Sequence, residues 1–284
     1  MSIQKVGVIG CGLMGSGIAQ VCAQKGHATV VREVNDEVLK KGLDRIRGFL
    51  AEGVKRGKVT QAQMDQTLAS LKGTTSLADL KDCDLVIEAV VENLDEKRKV
   101  FAELDKVCGP ATIFASNTSS ISITAQAAAT KRLDRFIGLH FMNPVPIMKL
   151  VEIVRPDGTS AETYATAKAF AESLGKITVT AKDTPGFIVN LLLVPYICEA
   201  VSALEKGLAT REDIDTAMEL GCGMPMGPLK LLDMVGLDTT LYIMDVLKSE
   251  FKTAKYDAPQ LLRQKVAAGH MGKKAGRGFY EYTK

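Results

Sequence analysis

The stretch that decides the fold is Lys5-Val6-Gly7-Val8-Ile9-Gly10-Cys11-Gly12-Leu13-Met14-Gly15. A short β-rich run enters a G-x-G-x-x-G turn, and a helical pattern over 14–25 follows at once. In such a unit the first glycine allows the tight turn, and the second lets the backbone approach a pyrophosphate. The third lets the helix close on the strand, while the helix start offers amide donors and a favourable dipole. Gly10, Gly12, Leu13, Met14 and Gly15 are therefore the candidate cradle of a dinucleotide. The next β-rich run, 28–32, leads into Glu33, 18 residues after Gly15. A carboxylate there can accept both ribose hydroxyls of an adenosine and repels a 2′-phosphate, which points to NAD. Arg32 beside it could greet a 2′-phosphate, so NADP is not excluded. A plain glycine turn with a surface glutamate is the bland alternative, and the strand–turn–helix setting argues against it.

Outward from this unit, β-rich runs recur at 84–90, 111–116, 136–141, 149–155 and 176–181. Helical patterns fall at 36–53, 62–71, 94–107 and 160–174. This alternation predicts an α/β fold, a Rossmann-like, mostly parallel, doubly wound sheet. Past Pro185-Gly186 the strand signals stop, and helical periods follow at 187–206, 210–221, 227–235, 236–252 and 257–268. The expected organisation is a dinucleotide-binding domain over 1–184, with a helical arm over 36–71, then an all-α domain over 185–284 for substrate binding and dimerisation.

The composition narrows the possible functions. The chain has 284 residues, 46% of them hydrophobic and 24% charged, with 36 basic against 33 acidic side chains. A net charge of +3 is too small for a nucleic-acid-binding face, and 5% aromatics without tryptophan disfavours a base- or sugar-stacking surface. Six scattered cysteines and three histidines form no metal-ligand spacing and read as reduced thiols of an intracellular protein. The most apolar stretch, 187–198, holds Asn190 and Pro195 and is too short for a bilayer. No signal-peptide pattern precedes the first strand. The expectation is a cytoplasmic protein with no metal, no nucleic acid and no membrane among its partners.

With three histidines, a histidine base can be sought by elimination. His27 and His270 each follow a glycine in a turn or loop. His140 instead ends Phe136-Ile137-Gly138-Leu139-His140, at the strand end where open α/β sheets bind ligands. Twelve residues on, Glu152 interrupts the apolar run Leu150-Val151-Glu152-Ile153-Val154 and needs a partner there. A glutamate can fix the tautomer of an imidazole and stabilise its protonated form. On spacing alone the pair reads equally as a structural core contact. Ser116-Asn117-Thr118-Ser119-Ser120, after another apolar strand, suits hydrogen bonding to a substrate oxygen or a nicotinamide carboxamide; it also suits a helix N-cap. Asn190, polar in an apolar helix start at the domain junction, could complete a cleft site.

Taken in order, these blocks resemble the L-3-hydroxyacyl-CoA dehydrogenase family, and within it the bacterial short-chain 3-hydroxybutyryl-CoA dehydrogenases. The resemblance runs through the glycine loop, Glu88-Ala-Val-Val-Glu92-Asn93, Ser116-Asn-Thr-Ser-Ser, His140-Phe-Met-Asn-Pro and Lys149-Leu-Val-Glu152. It continues through Pro185-Gly-Phe-Ile-Val-Asn190, Met226-Gly-Pro-Leu229 and Gly276-Arg-Gly-Phe-Tyr280. It implies interconversion of a 3-hydroxyacyl and a 3-ketoacyl CoA thioester with a nicotinamide cofactor. His140 would be the base, Glu152 its orienter, and Ser119 and Asn190 the substrate contacts. Asn143 would lie near substrate and nicotinamide, with Glu92, Lys97 and Lys274 along the cofactor side. The sequence departs from the family pattern at Cys11 and Leu13, where Ala and Thr are commoner, at Met142, where Phe is usual, and at Gly223-Met224, where Asn-His is frequent. No catalytic group is lost, but the acyl pocket and chain-length range stay open.

CoA is a polyanion, and residues 40–58 carry Lys40, Lys41, Arg45, Arg47, Lys55, Arg56 and Lys58 against Asp44 and Glu52. The resemblance places this helix pair over the CoA site, with Lys55, Arg56 and Lys58 as candidate contacts; the bland reading is a solvated helix face. The helix over 187–206 carries more apolar residues than one face requires. This fits either the homodimer that the resemblance implies or a helix buried all round within one chain. Two rival functions remain: a dehydrogenase of the same fold acting on a non-CoA hydroxy acid, and a non-catalytic dinucleotide-binding protein.

Overall fold

The computed structural model describes residues 2–282. The chain divides into two compact units at Thr184–Pro185. In the first, β1 (Lys5–Ile9), α1 (Leu13–Gln24) and β2 (Ala28–Arg32) form the opening β–α–β unit. Next come α2 (Asp36–Lys55), α3 (Gln61–Ala69), β3 (Leu71–Thr74) and β4 (Leu85–Glu88). The unit closes with α4 (Leu94–Val107), β5 (Ile113–Ser116), α5 (Ile123–Ala127), β6 (Phe136–Phe141), β7 (Leu150–Arg155), α6 (Ala161–Ser173) and β8 (Ile177–Lys182).

The eight strands form one sheet in the order β3-β2-β1-β4-β5-β6-β7-β8. Six of the seven pairings are parallel and β6–β7 is antiparallel, so the expected mostly parallel, doubly wound sheet is present. Strands β1, β4, β5 and β6 are almost wholly buried, which is why they read as continuous apolar runs rather than alternating ones. Strand β3 and helix α5 escape sequence reading. Leu71-Lys72-Gly73-Thr74 has little β preference of its own and is held at the sheet edge by parallel pairing with β2. The helix expected over 62–71 accordingly stops at Ala69.

Helix starts carry the local signals that place them. Asn35 caps α2, with Asp36 and Glu37 in its first turn, and Thr60 and Gln63 form a capping box on α3. Asn93 and Ser160 cap α4 and α6.

The second unit is all helical: α7 (Val189–Glu205), α8 (Arg211–Cys222), α9 (Pro228–Val235), α10 (Leu237–Phe251) and α11 (Gln260–Ala267). Its core gathers Val194, Ile197, Leu229, Leu232, Ile243 and Leu247. Two buried aspartates organise it. Asp215 accepts the amides of Leu229 (2.7 Å) and Lys230 (3.1 Å) and the Tyr280 hydroxyl (2.7 Å). Asp233 accepts the amides of Phe279 and Tyr280, both at 2.8 Å. The Met226–Leu229 and Gly276–Tyr280 blocks are thus architectural. A Cβ on Gly227 or Gly278 would overlap the Asp215 or Asp233 side chain.

Candidate active site

The glycine loop is built to meet a diphosphate. Gly10 turns at φ +89°, and a Cβ on Gly15 would overlap the Gly10 carbonyl oxygen, so strand and helix approach as closely as the motif requires. A Cβ on Gly12 would meet nothing within 4 Å; that side of the loop opens onto free space. Helix α1 has no side-chain cap and no acidic residue in its first turn, which leaves its amide end to a ligand. The Glu33 carboxylate reaches back to the loop, accepting the Cys11 amide at 3.0 Å and the Val34 amide at 2.6 Å. Arg32 turns to the Thr75 carbonyl at 3.3 Å. The residues present therefore fit a dinucleotide whose adenosine ribose faces Glu33.

At the carboxyl end of the sheet, antiparallel pairing sets His140 opposite Glu152. Directly opposed residues project to the same face, and His140 Nδ1 lies 2.6 Å from Glu152 Oε2. Glu152 is fully buried and the His140 side chain is 9% exposed. An ionised carboxylate can only accept, so Nδ1 donates and Nε2 becomes the atom that can take up a proton.

Strand β5 runs beside β6, bringing the Ser116–Ser120 run to the neighbouring strand end. Asn117 Oδ1 accepts the Phe141 amide at 2.9 Å, joining this run to the residue after His140. Glu92 accepts the Thr118 hydroxyl (2.5 Å), the Ser119 amide (2.9 Å) and the Ser119 hydroxyl (3.3 Å). Asp183 caps α5 just beyond, accepting the Ser122 hydroxyl and the amides of Ile123 and Thr124.

Behind Glu92 lies a buried charge cluster. Lys97 is 1% exposed and places its ammonium 2.6 Å from Glu88 and 3.2 Å from Glu92. Glu88 also accepts the Val90 amide and the Ser116 hydroxyl, both at 2.7 Å. Burial alone would raise the Glu92 carboxyl; the Lys97 ammonium, the Thr118 hydroxyl and the Ser119 amide outweigh it and hold the group below the ordinary carboxylate range. Lys97 is thus joined to Ser119 through Glu92. Glu88 is the residue that sequence reading quoted without a role. The signal was present: a glutamate ending the apolar strand Leu85-Val86-Ile87, and a lysine on the buried stripe Lys97, Phe101, Leu104 of α4.

The remaining candidates are spread more widely. Asn143 is exposed just after β6 and joins Leu13, Ser16 and Phe49 in lining a small cleft beside α1. Lys176 pins the connection between β6 and β7, donating to the carbonyls of Val145 (2.5 Å) and Met148 (2.8 Å). On the arm, Arg56 is exposed and paired with Glu52 at 2.7 Å, whereas Lys55 and Lys58 have no carboxylate within 4 Å among the described residues. In the helical unit, Asn190 is half-buried in the first turn of α7, and Lys274 pairs with Asp238 at 2.7 Å.

The comparisons with known proteins give the family. Residues 5–184 match the NAD binding domain of 3-hydroxyacyl-CoA dehydrogenase, and residues 186–282 match the C-terminal domain of the same family. The chain belongs to the 3-hydroxyacyl-CoA dehydrogenase family. A 3-hydroxybutyryl-CoA dehydrogenase of Mycobacterium tuberculosis is 50% identical over 99% of both chains. The human mitochondrial hydroxyacyl-coenzyme A dehydrogenase is 47% identical, over 99% of this chain and 91% of that one. The crystal structure of (S)-3-hydroxybutyryl-CoA dehydrogenase from Ralstonia eutropha superposes with a TM-score of 0.95, at 49% identity and full coverage of both chains. Family membership establishes an NAD-binding dehydrogenase and implies a CoA thioester as substrate. No helix among the described residues is long and apolar enough to cross a membrane.

Proposed function

We propose that this family member interconverts (S)-3-hydroxybutyryl-CoA and acetoacetyl-CoA, with His140 as the general acid/base and Glu152 as its positioning partner. The observation that carries the reading is the buried 2.6 Å contact between them at the carboxyl end of β6, beside the Ser116–Ser120 run. The names of the bacterial relatives at 46–50% identity supply the short acyl chain.

In oxidation, His140 Nε2 takes the proton of the C3 hydroxyl while the C3 hydride leaves. A dinucleotide held at the glycine loop and Glu33 would supply the hydride acceptor. Glu152 stabilises the imidazolium as it forms, and in the reverse direction the same nitrogen returns the proton to the ketone oxygen. Ser119, held by Glu92, hydrogen-bonds the reacting oxygen, and Asn190 steadies the thioester end. Gly10, Gly12, Leu13, Met14, Gly15 and Glu33 hold the adenosine diphosphate half of the cofactor. Asn117, Asn143, Glu92 and Lys274 serve the nicotinamide half, with Lys97 acting through Glu92. Lys55 and Lys58 are the arm's CoA phosphate contacts; Arg56 joins them when it exchanges Glu52 for phosphate.

The working unit is a cytoplasmic homodimer formed through the helical domain. Its support is the apolar surface left by Leu192, Leu208 and Leu220, each more than two-thirds exposed in the single chain. The deciding experiment compares acetoacetyl-CoA with free acetoacetate as oxidant of NADH. Oxidation with the thioester and little with the free acid is the expected result. Equal use of both would remove CoA from the reading, and no oxidation with either would remove the activity.

A further inference from the structure

The arm's seven cations are not equivalent. Lys40 and Arg47 share Asp44, Lys41 pairs with Glu37, and Arg56 with Glu52. Arg45 has no carboxylate within 4 Å among the described residues. Its guanidinium leans instead on the glycine loop, donating to the Cys11 carbonyl at 3.3 Å and the Ser16 hydroxyl at 3.5 Å. Both contacts are long, both use Nη1, and three of its five N–H donors lie on the other two nitrogens.

Helix α2 is brought hard against this loop. A Cβ on Gly42 would overlap both the carbonyl oxygen and the sulfur of Cys11, so glycine is what lets the arm seat here. One turn on, Arg45 and Phe49 wall a cleft of about 60 Å³ with Leu13, Ser16 and Asn143.

This placement gathers donors and positive charge at one turn. The start of α1 carries roughly half a positive charge, and no acidic residue lies in its first turn to offset it. A guanidinium set against the same turn adds like charge. The nearby Glu33 carboxylate is committed to the amides of Cys11 and Val34. An anion with two phosphates would satisfy the amide end and the guanidinium together.

We propose that Arg45 binds a diphosphate, closing the helical arm over the glycine loop as the second jaw of its phosphate clamp. The inference rests on the dehydrogenase reading for its ligands, since both the dinucleotide and CoA carry a diphosphate. Contact with Cys11 and Ser16 favours the dinucleotide.

Direct binding tests it without turnover. Arg45→Gln and Arg45→Lys are titrated calorimetrically with NADH, ADP-ribose, free CoA and adenosine. Arg45→Gln is expected to weaken NADH and ADP-ribose about tenfold while adenosine is unchanged, the size of one charge-assisted contact. Arg45→Lys should recover part of the loss. A loss confined to CoA would keep the diphosphate and assign it to the substrate. Wild-type affinity of Arg45→Gln for all three diphosphates overturns the proposal, as does an equal loss on adenosine. Failure of the wild type to reduce acetoacetyl-CoA would overturn the dehydrogenase reading and leave these titrations standing.

Discussion

Replacing Glu152 by Gln isolates what its charge does. The amide keeps the volume and can still accept from His140 Nδ1, so the imidazole stays oriented in its buried site. What disappears is a full negative charge facing the imidazolium formed during proton transfer. Charge centres about 4 Å apart interact by about 4 kcal/mol at an effective dielectric near 20. His140 sits at the edge of exposure, so solvent and the amide dipole recover part of this, leaving about 2–4 kcal/mol. That loss falls on the chemical step and lowers kcat about 30- to 1,000-fold. The assay is steady-state reduction of acetoacetyl-CoA at saturating NADH, with calorimetric titration of NADH alongside. Unchanged NADH affinity with the stated drop is expected. A kcat within about threefold of wild type would refute the electrostatic role, and a parallel collapse of NADH binding would make the pair a structural one.

Three further outcomes follow from the same geometry. Lys97→Met leaves Glu88 and Glu92 facing each other without their cation, and should cost about 3–5 kcal/mol in chemical denaturation; wild-type stability would show the cluster to be self-sufficient. Because the Glu92 carboxyl is held low in the folded protein, its stabilisation is complete above the unfolded carboxylate value and is lost as pH falls through the lower folded one. The acid limb of stability should therefore be flatter in Glu92→Gln, and superimposable curves would count against this. Glu33→Ala removes the carboxylate that repels a 2′-phosphate, so the preference for NADH over NADPH should shrink about tenfold or more; an unchanged ratio would place the discrimination elsewhere.

Much of the fold was legible because its signals are local. The glycine loop, the end of the strand signals at Pro185 and the capped helix starts each need only a few neighbouring residues. The His140–Glu152 pair was legible for another reason: a carboxylate inside an apolar strand demands a partner, and an adjacent antiparallel strand supplied one. Strand β3 was not, because its four residues owe their conformation to β2 rather than to their own preference. The arm's charges were visible as a sum and misleading as individuals. Only the structure shows that Arg56 spends its charge on Glu52 while Arg45, Lys55 and Lys58 have no carboxylate within 4 Å among the described residues. The Glu88–Lys97–Glu92 cluster lay between these cases. Glu88 and Glu92 share one sequence block and the resemblance places Lys97 along the cofactor side, but burial decides that Lys97 supports Glu92 from behind.

In the proposed reaction His140 moves the proton while hydride passes between substrate carbon 3 and the nicotinamide. The most direct measurement is turnover of acetoacetyl-CoA with NADH by wild type and His140→Gln, with NADH affinity determined for both. Turnover by the wild type, a loss of about 10²–10⁴-fold in the variant, and matching NADH affinities are expected. Comparable turnover by the two proteins, or none by the wild type, would contradict the proposed reaction.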